Sequence, residues 1–178
     1  MNVIVVTYIG SPWLQDCLAS LRDCKYPIYI AVNTRAFNWY ERAGLDLGLE
    51  LYDDFVLLQD SVVVKDLSFL EVMENHVGPM SFGHEYLMYL GKYTHDEAFV
   101  LSKYPHGYTK QAAVDFELGP MKQIARAHNI PSLCPEFTDT AVFVDKYGKK
   151  RMVLENRYLI KYKNCWDTNM IDGADKVQ

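Results

Sequence analysis

Three short polar segments follow apolar runs and carry residue types able to do chemistry: Thr7-Tyr8-Ile9-Gly10-Ser11, Asn33-Thr34-Arg35 and Gln59-Asp60-Ser61. Each is expected just beyond the carboxyl end of a strand. In an open α/β sheet, that edge is where backbone N–H groups and helix N-termini face an anion. Asp60 is the carboxylate among these segments, and it interrupts the apolar stretch from Phe55 to Val64. It reads either as an acid facing a ligand or as a strand-end residue satisfied by a backbone N–H. The chain contains neither a GxxxxGK[ST] loop nor GxGxxG, so kinase-like NTP chemistry and dinucleotide oxidoreduction lose support. His76, His84, His95, His106 and His128 never take the HExxH spacing, which argues against a zinc site.

The elements that must position these segments follow from local pattern. Residues 3 to 7 are β-branched and apolar without alternation, as in a strand covered on both faces. Ser11 and Pro12 suit a helix start, and Leu14, Cys17, Leu18 and Leu21 recur at helical spacing. Ile28 to Val32 supplies a second strand and completes a βαβ unit. The two glycines between Phe37 and Leu51 suggest a short or broken helix. Phe55 to Leu58 is the next buried strand and Val62 to Val64 continues extended. Asp66 or Ser68 then caps a helix running to about His76. Residues 83 to 108 show no clear period and read as loop, and a helix from Thr109 or Lys110 meets Gly119-Pro120, giving two short helices or one kinked one. Thr140 to Val144, a turn at 145–149 and Met152 to Tyr162 make the end β-rich. The expected fold class is α/β: a Rossmann-like, mostly parallel central sheet with flanking helices and a β-rich C-terminal end.

Val3-Ile4-Val5-Val6-Thr7-Tyr8, a helix, a strand ending at Asn33, and Asp53-Asp54-Phe55-Val56-Leu57-Leu58-Gln59-Asp60-Ser61-Val62-Val63-Val64 together resemble the start of an A-type-fold (GT-A-like) glycosyltransferase, most closely the family 2-like enzymes. The resemblance covers about residues 1–75. It implies one domain over 1–178, with a nucleotide-sugar-binding half to about residue 75 and an acceptor half from about 76. In that family a strand-end Asp-x-Asp holds a divalent cation against the donor's diphosphate. Here the matching residues are Asp60-Ser61-Val62, so the resemblance implies a metal held by Asp60 alone, with diphosphate oxygens and water completing an Mn²⁺ or Mg²⁺ shell. It implies donor contacts from Thr7, Tyr8, Ile9, Asn33, Arg35, Asp60 and Ser61, with a UDP-sugar as the expected donor.

Glycosyl transfer builds negative charge on the leaving diphosphate, which a metal, an Arg, a Lys or a helix dipole can offset. An inverting enzyme also needs a group to take the acceptor's proton. The resemblance points to Asp115 and Glu117 for that role, with Asp96 and Glu97 in reserve, whereas a retaining enzyme can do without them. The acceptor is open between glycan, protein and modified nucleic acid. Two other readings stand: a non-catalytic nucleotide- or sugar-binding module, and a nucleotidyltransferase on a related sheet. Tyr104-Pro105-His106-Gly107-Tyr108 reads as a sugar- or base-stacking loop or as an ordinary surface loop. Arg157, Lys161 and Lys163 alternate along the last strand, either as a solvated face or as a stripe facing a diphosphate or an anionic acceptor.

The 178 residues suit a single core, and 49% apolar with 23% charged residues exclude a disordered or fibrous chain. A net charge of −5 rules out a sequence-wide basic field for nucleic acid. No apolar run approaches the ~20 residues of a membrane span, and no leader is evident, so no membrane association and a cytoplasmic location are expected. Cys17, Cys24, Cys134 and Cys165 form no CxxC pair and are expected to be reduced. The chain is short for the family it resembles, so the acceptor site is either minimal or completed by another subunit, as in a homo-oligomer.

Overall fold

The computed structural model describes residues 1–34, 41–83, 90–105, 112, 115–134, 138–144 and 150–162, and at 117, 138–144 and 150–152 the backbone alone. Strand β1 (Asn2–Tyr8) is buried along its whole length. It pairs in parallel with β2 (Ile28–Asn33) on one side and β3 (Phe55–Gln59) on the other. Strands β5 (Met80–Ser81) and β6 (Gly91–Tyr93) extend the sheet antiparallel, in the order β2-β1-β3-β6-β5. The sheet is therefore mixed, where a mostly parallel one was expected. Only residues 82–90 separate β5 from β6, fewer than the dozen or so that a parallel crossover needs, so these two neighbours run antiparallel.

The alternation of side chains along β1 and β3 feeds two cores. Val3 and Val5 join Val56 and Leu58 under α1 (Leu14–Ser20) and α3 (Ser68–Asn75), whereas Ile4 and Val6 join Phe55 and Leu57 under α2 (Glu41–Leu51) and α4 (His95–Ser102). Thr7 and Asp60 continue the first series, so by register they share the α1 face. A second, antiparallel sheet runs β4 (Val62–Val64), β9 (Leu159–Tyr162), β8 (Lys150–Glu155) and β7 (Thr138–Val144). It brings the end of the described chain back to the residues just after β3.

Several expectations are met in outline. The expected helix after Ser11-Pro12 begins at Leu14, while Ser11 Oγ accepts the Trp13 N–H at 3.4 Å. Asp66 Oδ1 accepts the Ser68 N–H at 2.8 Å ahead of α3, a bond that lowers the Asp66 carboxyl below its usual range. Others need correction. Residues 91–102 were read as loop but form β6 and α4, because Thr94 caps the helix by accepting the Glu97 N–H at 3.3 Å. The stretch around Gly119-Pro120, expected as two short helices or one kinked one, is helical from 115 to 127. It is a π-helical turn, Glu117–Met121, running into α5 (Lys122–Ala127), which absorbs the proline's missing donor.

Helix α2 is also unbroken, despite its two glycines. A Cβ at Gly48 would overlap the Phe55 ring, and one at Gly44 would overlap Leu57 and Val6. The glycines thus let the helix lie flat on the sheet. Gly48→Ala is expected to destabilise the fold by about 1–3 kcal/mol, read as a lower urea midpoint. The same change at Gly119, where nothing lies within 4 Å, should cost much less.

Candidate functional site

The carboxyl ends of β1, β2 and β3 carry a buried polar network. Asp60 is 1% exposed, and its Oδ2 accepts the Thr7 hydroxyl at 2.7 Å. Asn33, fully buried, donates from Nδ2 to the Thr7 carbonyl at 3.2 Å, and its own carbonyl accepts the Ile9 N–H at 2.8 Å. Three backbones are thereby tied at one edge. The turn leaving β1 is closed by Ser11 N–H to the Tyr8 carbonyl at 2.9 Å, with Gly10 at φ +79°, a conformation that favours glycine.

A second set of contacts enters from β9. Lys161 is 4% exposed, and its Nζ donates to Gln59 Oε1 and Ser61 Oγ. Gln59 in turn donates from Nε2 to the carboxylate of Glu41, the first residue of α2. Register explains how a residue so distant in sequence arrives here: Lys161 is the cross-strand partner of Val62, and the Tyr162 N–H reaches the Ser61 carbonyl at 2.9 Å. Trp13 and Tyr162 stack against each other with ring centroids 5.2 Å apart. Cys17 lies against the same cluster, its Sγ 3.8 Å from the Gln59 carbonyl. Burial pushes its thiol up to about 12, with Asp60 raising it further and Lys161 opposing. This cysteine is consequently a core residue, not a nucleophile.

Of the donor residues inferred from sequence, Thr7, Asn33, Asp60 and Ser61 fall within this network. Tyr8 is buried as the last residue of β1, Ile9 is 61% exposed beyond it, and Arg35 lies outside the described residues. Asp115 is exposed. Its neighbour Phe116 packs in the core beneath α2, with the Arg42 guanidinium 5.8 Å from its ring. That core lies on the opposite face of the sheet from Thr7 and Asp60. Only the backbone of Glu117 is described, in the π-helical turn. In the stacking segment, Tyr104 packs against the α2 core and 106–108 lie outside the described residues.

Of the basic residues alternating along the last strand, Lys161 is the one brought to this network. The solvated-face reading fails for it, because its side chain is buried. Arg157 lies in the turn before β9, exposed and stacked on the Tyr158 ring at 4.3 Å, and Lys163 is outside the described residues. Burial of a lysine whose strand pairs at Val62 could not be read from alternation, since the pairing itself is long-range.

For a divalent ion, the donor set is poor. Among the described residues no three His, Cys, Asp or Glu side chains converge. Position 62 is a fully buried valine, and Lys161 Nζ is bonded to Ser61, the residue next to Asp60. A cavity of about 280 Å³ lies elsewhere, lined by residues such as Lys25, Tyr26, Leu67 and Glu71, none of which belongs to the strand-end network.

The reserve pair Asp96 and Glu97 sits far from Asp60. Tyr93 pairs with Phe55, so α4 starts at the amino edge of the sheet, about 15 Å along β3 from the strand end. Asp96 is exposed, while Glu97 is 5% exposed with neither carboxylate oxygen hydrogen-bonded.

No protein-family model matches the chain, and no curated protein matches it. Among solved structures, the crystal structure of A197 from STIV aligns with a TM-score of 0.47 at 14% identity, over 88% of this chain and 95% of that one. Among the described residues, no helix is long and apolar enough to cross a membrane.

Burial raises the Glu97 carboxyl from 4.5 to about 7. A folded-state value above the unfolded one favours the fold below pH 4.5 and loses that contribution as pH rises through 7. Wild type should therefore lose up to about 3 kcal/mol relative to Glu97→Gln across this window. Urea denaturation of both proteins at pH 4.5, 6 and 8 measures the difference, and parallel pH profiles would refute it.

Proposed function

We propose that the carboxyl edge of β1, β2 and β3 is a donor site for a nucleotide sugar, on a minimal GT-A-like frame, and that the protein is a glycosyltransferase. One observation carries this reading. Strand β2 lies on one side of β1 and β3 on the other, so the chain changes direction between β1 and β3, and the Thr7–Asp60 hydrogen bond bridges those two strands at their carboxyl ends. Crevices at such switch points are where open α/β sheets hold ligands. The resemblance of Val3–Tyr8 and Asp53–Val64 to the family 2-like enzymes supports the same place by a different route.

In the transfer, an acceptor hydroxyl oxygen bonds to the anomeric carbon as the bond from that carbon to the diphosphate oxygen breaks. The electron pair leaves with the nucleoside diphosphate and the hydroxyl proton passes to a base. The chain's part is to hold the donor and balance the charge that grows on the leaving group. Asn33 and Thr7 would position the nucleoside, the polar strand-end groups would face the diphosphate, and Asp115 or Glu117 stays the proposed proton acceptor if the transfer inverts. The packing of its neighbour Phe116 puts Asp115 on the far side of the sheet from Asp60, which weighs against Asp115 in that role.

A second reading has its own observation. Asp60 is 1% exposed, so the network could serve as a tie between strands in a module without catalysis. A thermal-shift panel of nucleoside diphosphates and nucleotide sugars decides between binding and no binding. A ligand at 100 times its Kd adds about 2.7 kcal/mol, or roughly 5–10 °C in Tm for a chain of this length. Asp60→Asn should abolish the shift. Turnover is then read by product: free nucleoside diphosphate supports glycosyl transfer, pyrophosphate indicates a nucleotidyltransferase, and binding without either supports the module. A flat panel overturns the donor-site reading.

A further inference from the structure

We infer that strand β2 is the surface on which a second copy of this chain docks, edge to edge and antiparallel, so that two central sheets continue as one. This pairing uses the flank of the sheet, apart from the carboxyl end where the donor site is proposed.

The backbone of β2 is open on one side. β2 ends the strand order, with β1 beside it and, among the described residues, no strand beyond it. The Val3 N–H meets the Pro27 carbonyl at 2.9 Å and the Ile9 N–H meets the Asn33 carbonyl at 2.8 Å, so Tyr29, Ala31 and Asn33 turn their backbone groups toward β1. By alternation, Ile28, Ile30 and Val32 present their N–H and C=O groups outward. Such a row is a template for another strand, and folds commonly blunt it with a charge, a proline or a bulge. None of these interrupts Ile28 to Asn33. Pro27 stands before the strand with its carbonyl toward β1, so it does not block the open side. The side chains agree. Ile30 is 40% exposed and Val32 49% on the α1 face, and Tyr29 is 36% exposed on the other.

The occupant follows from self-complementarity. A strand without charge meets no like-charge repulsion from its own copy. Antiparallel pairing about a two-fold axis at Ile30 engages all three outward residues, Ile30 with the second copy's Ile30 and Ile28 with its Val32, through roughly six backbone hydrogen bonds. The same register sets Tyr29 across from Ala31, a large ring over a small residue, with the β-branched pairs on the opposite face. A neighbouring two-fold register would leave outward groups unpaired and set Tyr29 on Tyr29 or Ala31 on Ala31. The far flank of the sheet is closed to this kind of contact. Strand β5 is two residues long, its Ser81 N–H bonds the Pro131 carbonyl at 2.9 Å, and its Ser81 carbonyl accepts the Leu133 N–H at 2.8 Å. With one open flank, pairing closes at two copies instead of growing into a fibre.

Sedimentation velocity from about 1 to 300 µM tests this on the intact chain. Wild type should pass from monomer mass to twice that mass as concentration rises. Ile30→Lys sets two ammonium groups opposite each other at the axis, and should stay monomeric throughout while keeping the wild-type circular dichroism and Tm. Ile30→Cys should give a disulfide-linked dimer on oxidation with diamide, above the wild-type background. Val32→Cys, whose counterpart in the second copy lies about 14 Å away, should not. A wild type that stays monomeric overturns the inference and leaves the flank to another protein's strand or to none. A dimer that survives Ile30→Lys undiminished, equal cross-linking at positions 30 and 32, or species that keep growing beyond two copies overturn it as well. If Ile30→Lys does not fold, the wild-type series and the two cysteine variants decide.

Discussion

Burying charge at the end of a parallel strand pair is costly unless each group finds a partner, and that constraint organises this molecule. Asp60 follows β3 directly, with apolar residues on both sides of it in sequence. Thr7 answers it across the strand gap, Asn33 anchors the Thr7 backbone, and Lys161 brings in a cation from the second sheet. The second sheet owes its position to this same junction, since Lys161 and Tyr162 contact Ser61 and Gln59 just as β9 pairs with β4.

The two edges of the central sheet treat charge differently. At the amino edge Lys92 meets Asp54, and the Met1 amino group meets Asp53 at 3.0 Å, which pins strand ends. Glu97, close to that edge, has no hydrogen bond to either carboxylate oxygen, and burial raises its carboxyl to about 7. The carboxyl edge instead gathers Glu41, Gln59, Ser61 and Lys161 into a connected set, drawn from α2, the end of β3 and β9, with the Thr7–Asp60 pair beside it in sequence.

Parts of this were legible in the residues. The unalternating run 3–7, the break at Gly10-Ser11-Pro12 and the acidic interruption at Asp60 are local signals, and each marked a real boundary. The Thr94-x-x-Glu97 spacing was a local signal too, a helix start that the aromatic and histidine content of the region obscured. The glycines of α2 misled for a physical reason. Propensity counts their backbone freedom against a helix, but contact with Phe55, Leu57 and Val6 requires that no side chain stand at those positions.

Sequence by itself determined the order of strands and helices in the first third of the chain, and it singled out Thr7, Asn33 and Asp60, because strand periodicity and polar interruptions are written in neighbouring residues. Only the tertiary structure decided that the sheet is mixed, that the α2 glycines are packing surfaces and that Lys161 lies buried against Gln59 and Ser61. Those outcomes depend on which strands pair, and pairing joins residues 100 positions apart through hydrogen bonds and burial that no local pattern encodes.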